Sequence, residues 1–180
     1  MGEPALVRSP VLLAEQPWLT ALPAARRVIL RGAEEVRAAA ARALDLALPT
    51  QPCRAATAGE RAALWLGPDE WLLLATPPDV QLDSALAAGL GSLDHSRVEV
   101  SHRQVGLQLA GAQASVLLAS GCPLDLDLGA FPVGMCTRTI LGKAEVVLWR
   151  TGPEVFRLEV WRSFVAYVAD YLAEAARGSI

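Results

Sequence analysis

Short apolar runs alternate with amphipathic stretches along the chain, and their spacing predicts its elements. Arg26 to Leu30 reads as a short strand closed by Gly32. Glu34 to Leu46 carries apolar positions at helical spacing. Glu34 and Glu35 fall in its first turn, where the positive end of the helix dipole favours carboxylates. Pro49 and Pro52 stop it. Arg61 to Leu66 and Trp71 to Ala75 are apolar runs around Gly67-Pro68-Asp69-Glu70, the pattern of a β-hairpin. Asp79 to Leu90 closes this set as a helix, with Gly89 and Gly91 near its end.

The same order returns downstream. Val105 to Leu109 is a strand ended by Gly111, and Ala112 to Ala119 is a helix. Lys143 to Arg150 and Val155 to Trp161 flank Thr151-Gly152-Pro153-Glu154 as a second hairpin. Ser163 to Ala176 is the last helix, with Phe164, Val168, Tyr171 and Leu172 at helical spacing. Individual residues match as well. Leu30-Arg31-Gly32-Ala33 returns 79 positions later as Leu109-Ala110-Gly111-Ala112, and Leu44-Asp45-Leu46 returns 80 later as Leu124-Asp125-Leu126. Gly67-Pro68 returns 85 later as Gly152-Pro153. The growing offset puts extra residues of the second copy around Gly129 to Gly134. The expected fold class is α+β, built from two pseudo-repeated β-α-β-β-α halves at 26–92 and 93–180. Neither half alone is large enough to bury much core, so the two are expected to form one compact unit. Residues 1–25, with Pro4, Pro10, Pro17 and Pro23 and no period, read as an extended N-terminal arm.

Composition sharpens this picture. Of the 180 residues, 53% are hydrophobic and 19% charged, which excludes disorder. No run approaches the roughly 20 apolar residues of a bilayer span. Glu3, Pro4, Arg8 and Pro10 interrupt any leader-like segment. Apolar excess without a span points to surface meant for another protein. A net charge of −3 supplies no basic field for nucleic acid or an anionic membrane. Cys53, Cys122 and Cys136 are widely spaced, form no CxxC pair, and fit a reduced, cytoplasmic compartment.

Candidate chemistry is sparse. His95 and His102 are the only histidines, too few for a metal set. His102 and Cys136 admit a base–thiol pair, although a polar strand end and a packed thiol are simpler readings. The phosphate-binding loops GxGxxG and GxxxxGK and the nucleophile elbow GxSxG are all absent. No catalytic, cofactor-binding or metal residue is therefore expected. Trp65 and Trp71 flank the first hairpin turn, Trp149 and Trp161 flank the second, and Trp18 lies in the arm. Arg103, Arg138, Arg150 and Arg162 gather in the second half and read as solvated or partner-facing. Trp and Arg dominate interface hot spots. The partner-facing candidates are Trp18, Trp65, Trp71, Arg103, Arg138, Trp161 and Arg162.

Several segments carry a family resemblance. Val100-Ser101-His102-Arg103-Gln104-Val105-Gly106-Leu107-Gln108-Leu109-Ala110-Gly111 resembles the segment after the first strands of folate-binding T-protein (aminomethyltransferase) domains. Four further segments are Trp65-Leu66-Gly67-Pro68-Asp69-Glu70-Trp71-Leu72, Gly121-Cys122-Pro123-Leu124-Asp125-Leu126, Cys136-Thr137-Arg138-Thr139 and Trp161-Arg162-Ser163-Phe164. Together these resemble the gamma-subunit family of heterotetrameric sarcosine oxidases, over Arg26 to Ala176. The resemblance implies a T-protein-like fold and a small accessory role in a complex that oxidatively demethylates sarcosine to glycine, within sarcosine catabolism and one-carbon metabolism. It implies alpha, beta and delta subunits as partners, and it puts FAD, FMN, NAD, zinc and tetrahydrofolate on those subunits. The Lys-Gly-Cys-Tyr-x-Gly-Gln motif of iron–sulfur-assembly relatives is absent; Val133-Gly134-Met135-Cys136-Thr137-Arg138 stands at a comparable place. The alternative is a stand-alone tetrahydrofolate-binding or one-carbon transfer protein. Asp94 or Glu99 would then face the pterin, although a solvated strand start is the simpler reading of both.

Overall fold

The computed structural model describes residues 16–78 and 81–178. Residues 1–15 of the expected arm lie outside the described part. The chain is α+β, and its described residues divide into two compact units, one within 23–101 and the other formed by 102–178 together with 16–22. The described end of the arm is a strand, β1 (Leu19–Ala21), which belongs to the second unit.

The first unit contains β2 (Arg26–Gly32), α1 (Glu34–Leu44), β3 (Ala55–Ala58), β4 (Arg61–Gly67), β5 (Glu70–Ala75), α2 (Gln81–Leu90) and β6 (His95–Glu99). Its antiparallel sheet runs β3-β4-β5-β2-β6. Strand alternation aims Val28 and Leu30 of β2, and Trp71, Leu73 and Ala75 of β5, at one core. The helices complete that core with residues four or eight positions apart: Val36, Ala40 and Leu44 on α1, and Leu82, Leu86 and Leu90 on α2. α1 ends where Asp45 enters the left-handed region at φ 48°. Because β6 pairs with β2, the half boundary read at 92/93 falls before a strand that completes the first sheet.

Gly32 is where β2 turns into α1, and its size is dictated by packing. A Cβ there would lie 2.6 Å from the Val36 side chain. Gly32→Ala is expected to destabilise the protein by about 1–3 kcal/mol, the usual cost of overpacking. Combining it with Val36→Ala should recover part of that loss, giving non-additive denaturation energies. Strictly additive energies would show that the neighbours yield without strain.

The second unit contains β7 (Gln104–Ala110), α3 (Ala114–Ala119), β8 (Cys136–Leu141), β9 (Ala144–Gly152) and β10 (Val155–Trp161). A single 3-10 turn (Arg162–Phe164) and α4 (Val165–Gly178) follow. The antiparallel sheet runs β1-β7-β10-β9-β8. Leu107 and Leu109, Val146 and Leu148, and Phe156, Leu158 and Val160 face a core closed by α3 and by Val165, Val168 and Leu172 of α4. Two tyrosines fasten α4 at its polar edge. Tyr171 donates its hydroxyl proton to the Ser120 carbonyl at 2.8 Å, and the Tyr167 hydroxyl accepts from the Lys143 amide at 3.0 Å.

The two sheets share a layout. In each, an inner strand (β2 or β7) lies between an edge strand and the second strand of a hairpin, and the far edge is the strand before that hairpin. They differ in one respect: β6 follows the rest of its unit in sequence, whereas β1 precedes its own. Among the described residues no helix is long and apolar enough to cross a membrane.

Candidate functional site

The hairpins hold the tryptophans, so they come first. Trp65 on β4 stands directly opposite Trp71 on β5, and a bulge then skips to Gly67 opposite Glu70. The tip folds back onto the end of β2 through the Gly32 amide, which donates to the Asp69 carbonyl at 3.0 Å. A cleft of about 380 Å³ opens between this tip and the start of α1, lined by Gly32, Glu34, Arg37, Trp65, Asp69 and Trp71 among others. Charge inside it is already neutralised. Arg37 Nε donates to Glu34 Oε2 at 2.8 Å, and Arg31 pairs with Asp69 at 3.0 Å. The hydrogen bond from Arg37 holds the Glu34 carboxyl below the usual carboxylate range. Trp71 is 2% exposed and donates from Nε1 to the Pro49 carbonyl at 2.8 Å. It is a core residue, so its assignment as partner-facing is corrected. It points inward because it shares the β5 parity of Leu73 and Ala75.

The second hairpin repeats the backbone but not the side chains. Arg150 on β9 faces Phe156 on β10, and the same kind of bulge leads to Gly152 opposite Val155. The Gly111 amide donates to the Glu154 carbonyl at 3.0 Å, as Gly32 does to Asp69. Arg150 is neither solvated nor partner-facing. It is buried, with its guanidinium carbon 4.7 Å from the centre of the Phe156 ring. Its parity on β9, in step with Ala144, Val146 and Leu148, was the available signal. Trp149 has the opposite parity and is half-buried.

At the other end of this sheet, three candidates come together. Trp161, at the end of β10, is opposite Gln104, and the Arg162 amide donates to the Arg103 carbonyl at 2.8 Å. The Arg103 guanidinium carbon lies 4.8 Å from the Trp161 ring centre. Arg162 Nε donates to the His102 carbonyl at 3.1 Å. The remaining candidates stand apart. Arg138 is exposed on the edge strand β8, one step from the half-exposed Ile140. Trp18 packs on the second unit's core, and its carbonyl accepts from Ala110.

His102 and Cys136 are not brought together. His102 precedes β7, whereas Cys136 lies on β8, with β10 and β9 between. Strand spacing of about 4.8 Å then holds them far beyond contact. Cys122 approaches Thr139, Sγ to Oγ1 3.7 Å. Glu99 is engaged within its own unit, since the Ser101 amide donates to its Oε1 at 3.2 Å and Arg26 lies 4.0 Å away. Asp94 is exposed ahead of β6. Among the described residues no group of three or more His, Cys, Asp or Glu is placed to hold a metal.

Comparison with known proteins completes this description. The sarcosine oxidase, gamma subunit family matches residues 31–178. The chain is 36% identical to sarcosine oxidase subunit gamma of Corynebacterium sp. (strain P-1) over 139 residues, 77% of this chain and 68% of that one. It is 37% identical to the subunit of the same name from Arthrobacter sp, with the same coverage. Among solved structures, a chain of heterotetrameric sarcosine oxidase from Corynebacterium sp. U-96, in complex with pyrrole 2-carboxylate, superposes with a TM-score of 0.84. Identity there is 31%, covering 89% of this chain and 83% of that chain. Glycine cleavage system aminomethyltransferase T from Bartonella henselae superposes at 0.61 with 16% identity, over 88% of this chain and 46% of that one. That second likeness is one of fold. Shared sequence across most of the chain, with the same α+β architecture, makes this protein a member of the sarcosine oxidase gamma subunit family.

Proposed function

We propose that this chain is the small accessory subunit of a cytoplasmic heterotetrameric sarcosine oxidase, assembled with alpha, beta and delta subunits. It carries no catalytic site of its own in this reading. The FAD, FMN, NAD, zinc and tetrahydrofolate of the complex belong to the other subunits. The observation that carries the proposal is the superposition on a chain of a heterotetrameric sarcosine oxidase over 89% of this one. The local chemistry fits an assembly role: Glu34, Asp69 and Glu99 are each occupied by arginines or amides of their own unit. A second part of the proposal is that the two units descend from one β-α-β-β-α ancestor. Matching sheet orders, the same bulge in both hairpins, and equivalent amide bonds from Gly32 and Gly111 support it.

Affinity purification of the tagged chain, co-expressed with the large oxidase subunits, tests the proposal. The expected result is one complex with sarcosine-dependent oxygen consumption, in which the chain melts at a higher temperature than alone. Recovery of a lone chain beside an intact oxidase that lacks it overturns the proposal.

A further inference from the structure

The end of the second sheet where β7 starts and β10 stops combines exposed aromatic surface with uncompensated positive charge. Trp161 and Phe164 are 38% and 39% exposed, unusual for rings of this size. Arg103 and Arg162 flank them, and among the described residues neither reaches a carboxylate. The Arg103 Nε is buried with no acceptor, and its guanidinium makes no hydrogen bond to the described residues. Arg162 uses its Nε on the His102 carbonyl. Glu159, two positions before Trp161, cannot serve either. It is 1% exposed and accepts from Arg157 Nε at 2.7 Å. Some other arginines do find carboxylates within the chain, as Arg31 does with Asp69 and Arg97 with Asp83.

We infer that the patch formed by Arg103, Trp161, Arg162 and Phe164 docks a carboxylate-bearing segment of a partner subunit. The inference rests on the accessory-subunit reading and names the contact that reading requires. Charge complementarity selects the occupant: two guanidiniums without a carboxylate partner among the described residues call for an acidic segment, and a carboxylate takes the two terminal nitrogens of Arg103 as a two-pronged pair. The patch is already set for this. The Arg162 amide bond to Arg103 and the Arg103 stack on Trp161 fix the geometry before binding, so little side-chain freedom remains to be lost. Arginine and tryptophan are also the residues on which interface energy concentrates.

The test uses the co-expressed complex. Arg103→Glu/Arg162→Glu is expected to weaken association on the order of a hundredfold, as reversal of paired charges at an interface centre does. It should also flatten the salt dependence of dissociation seen with the wild-type chain. Arg177→Glu, on the exposed last turn of α4, serves as the control and should leave both unchanged. Arg162→Glu alone provides a milder variant should the double variant fold poorly by circular dichroism; it should weaken association about tenfold. Wild-type affinity and salt dependence in a folded charge-reversal variant overturn this inference and leave the accessory reading standing. Failure of the wild-type chain to associate overturns both.

Discussion

Arg150→Met is expected to destabilise the protein by about 3–5 kcal/mol, because it strips a charged donor from three carbonyl acceptors at once, each costing about 1–3 kcal/mol when left buried and unpaired. Arg150 is buried in the second unit and no carboxylate among the described residues reaches it, so its charge is held by carbonyl dipoles. Nη1 donates to Leu126 O at 2.9 Å and to Phe131 O at 2.8 Å. Nη2 donates to Pro153 O at 2.6 Å, and Nε reaches the same oxygen at 3.2 Å. Three acceptors from two separate segments therefore depend on one side chain. Leu126 and Phe131 belong to the long connection between α3 and β8, which has little regular structure to satisfy its backbone. Pro153 is at the tip of the β9–β10 hairpin. Methionine fills a similar volume and keeps contact with Phe156, but it leaves those carbonyls without a donor. Urea denaturation should register the loss, and a thermal melt should fall by roughly 10 °C for a chain of this size. Amide exchange should rise first between Leu126 and Met135, because that connection loses its tie. Arg150→Lys should fall between the two, since one ammonium cannot span all three oxygens. A methionine variant within about 1 kcal/mol of wild type would mean that water replaces the guanidinium at little cost.

What the sequence did and did not reveal follows the same physics. Strands read from apolar runs, such as Arg61 to Leu66, Trp71 to Ala75 and Val155 to Trp161, are the inner strands of the sheets. Inner strands are covered along both edges and mostly on their faces, so their pattern is strong. The apolar pattern marks no strand at Leu19–Ala21, Ala55–Ala58, His95–Glu99 or Cys136–Leu141, and these four are the edge strands of the two sheets. Edges tend to be short and polar, which keeps them from pairing with strangers and also erases their hydrophobic signal. Helix starts were legible from Glu34 and Glu35. The end of α1 came at Leu44 instead of Leu46, where Asp45 takes a left-handed turn that a non-glycine residue rarely marks. For the candidate surface, residue type identified Arg103, Trp161 and Arg162 but could not separate them from Arg150 and Trp71. Parity along each strand makes that separation, and parity is secure only once the register is known.

Trp71 turns that distinction into a measurement. Trp71→Ala is expected to cost about 3–5 kcal/mol in the lone chain, the range for deleting a large aromatic from a packed core. The residue is central in the first sheet, opposite Leu30 on β2 and Trp65 on β4, and it contributes to the core that takes α1 and α2. Its indole also holds the Pro49 carbonyl, fastening the connection that follows α1. Trp71→Phe keeps most of the buried surface and gives up this hydrogen bond, so its expected cost is smaller, about 1–2 kcal/mol. The two substitutions thus separate packing from anchoring by their ratio. Partner contact makes the opposite prediction: the lone Ala variant would denature like wild type, and only co-purification with the oxidase would weaken. Denaturation of both variants without partners decides between these outcomes, because a core residue acts on folding before any subunit is present. Trp161→Ala is the natural comparison. With its ring partly exposed, it should barely shift the unfolding midpoint of the lone chain while weakening association, the reverse of the Trp71 pattern.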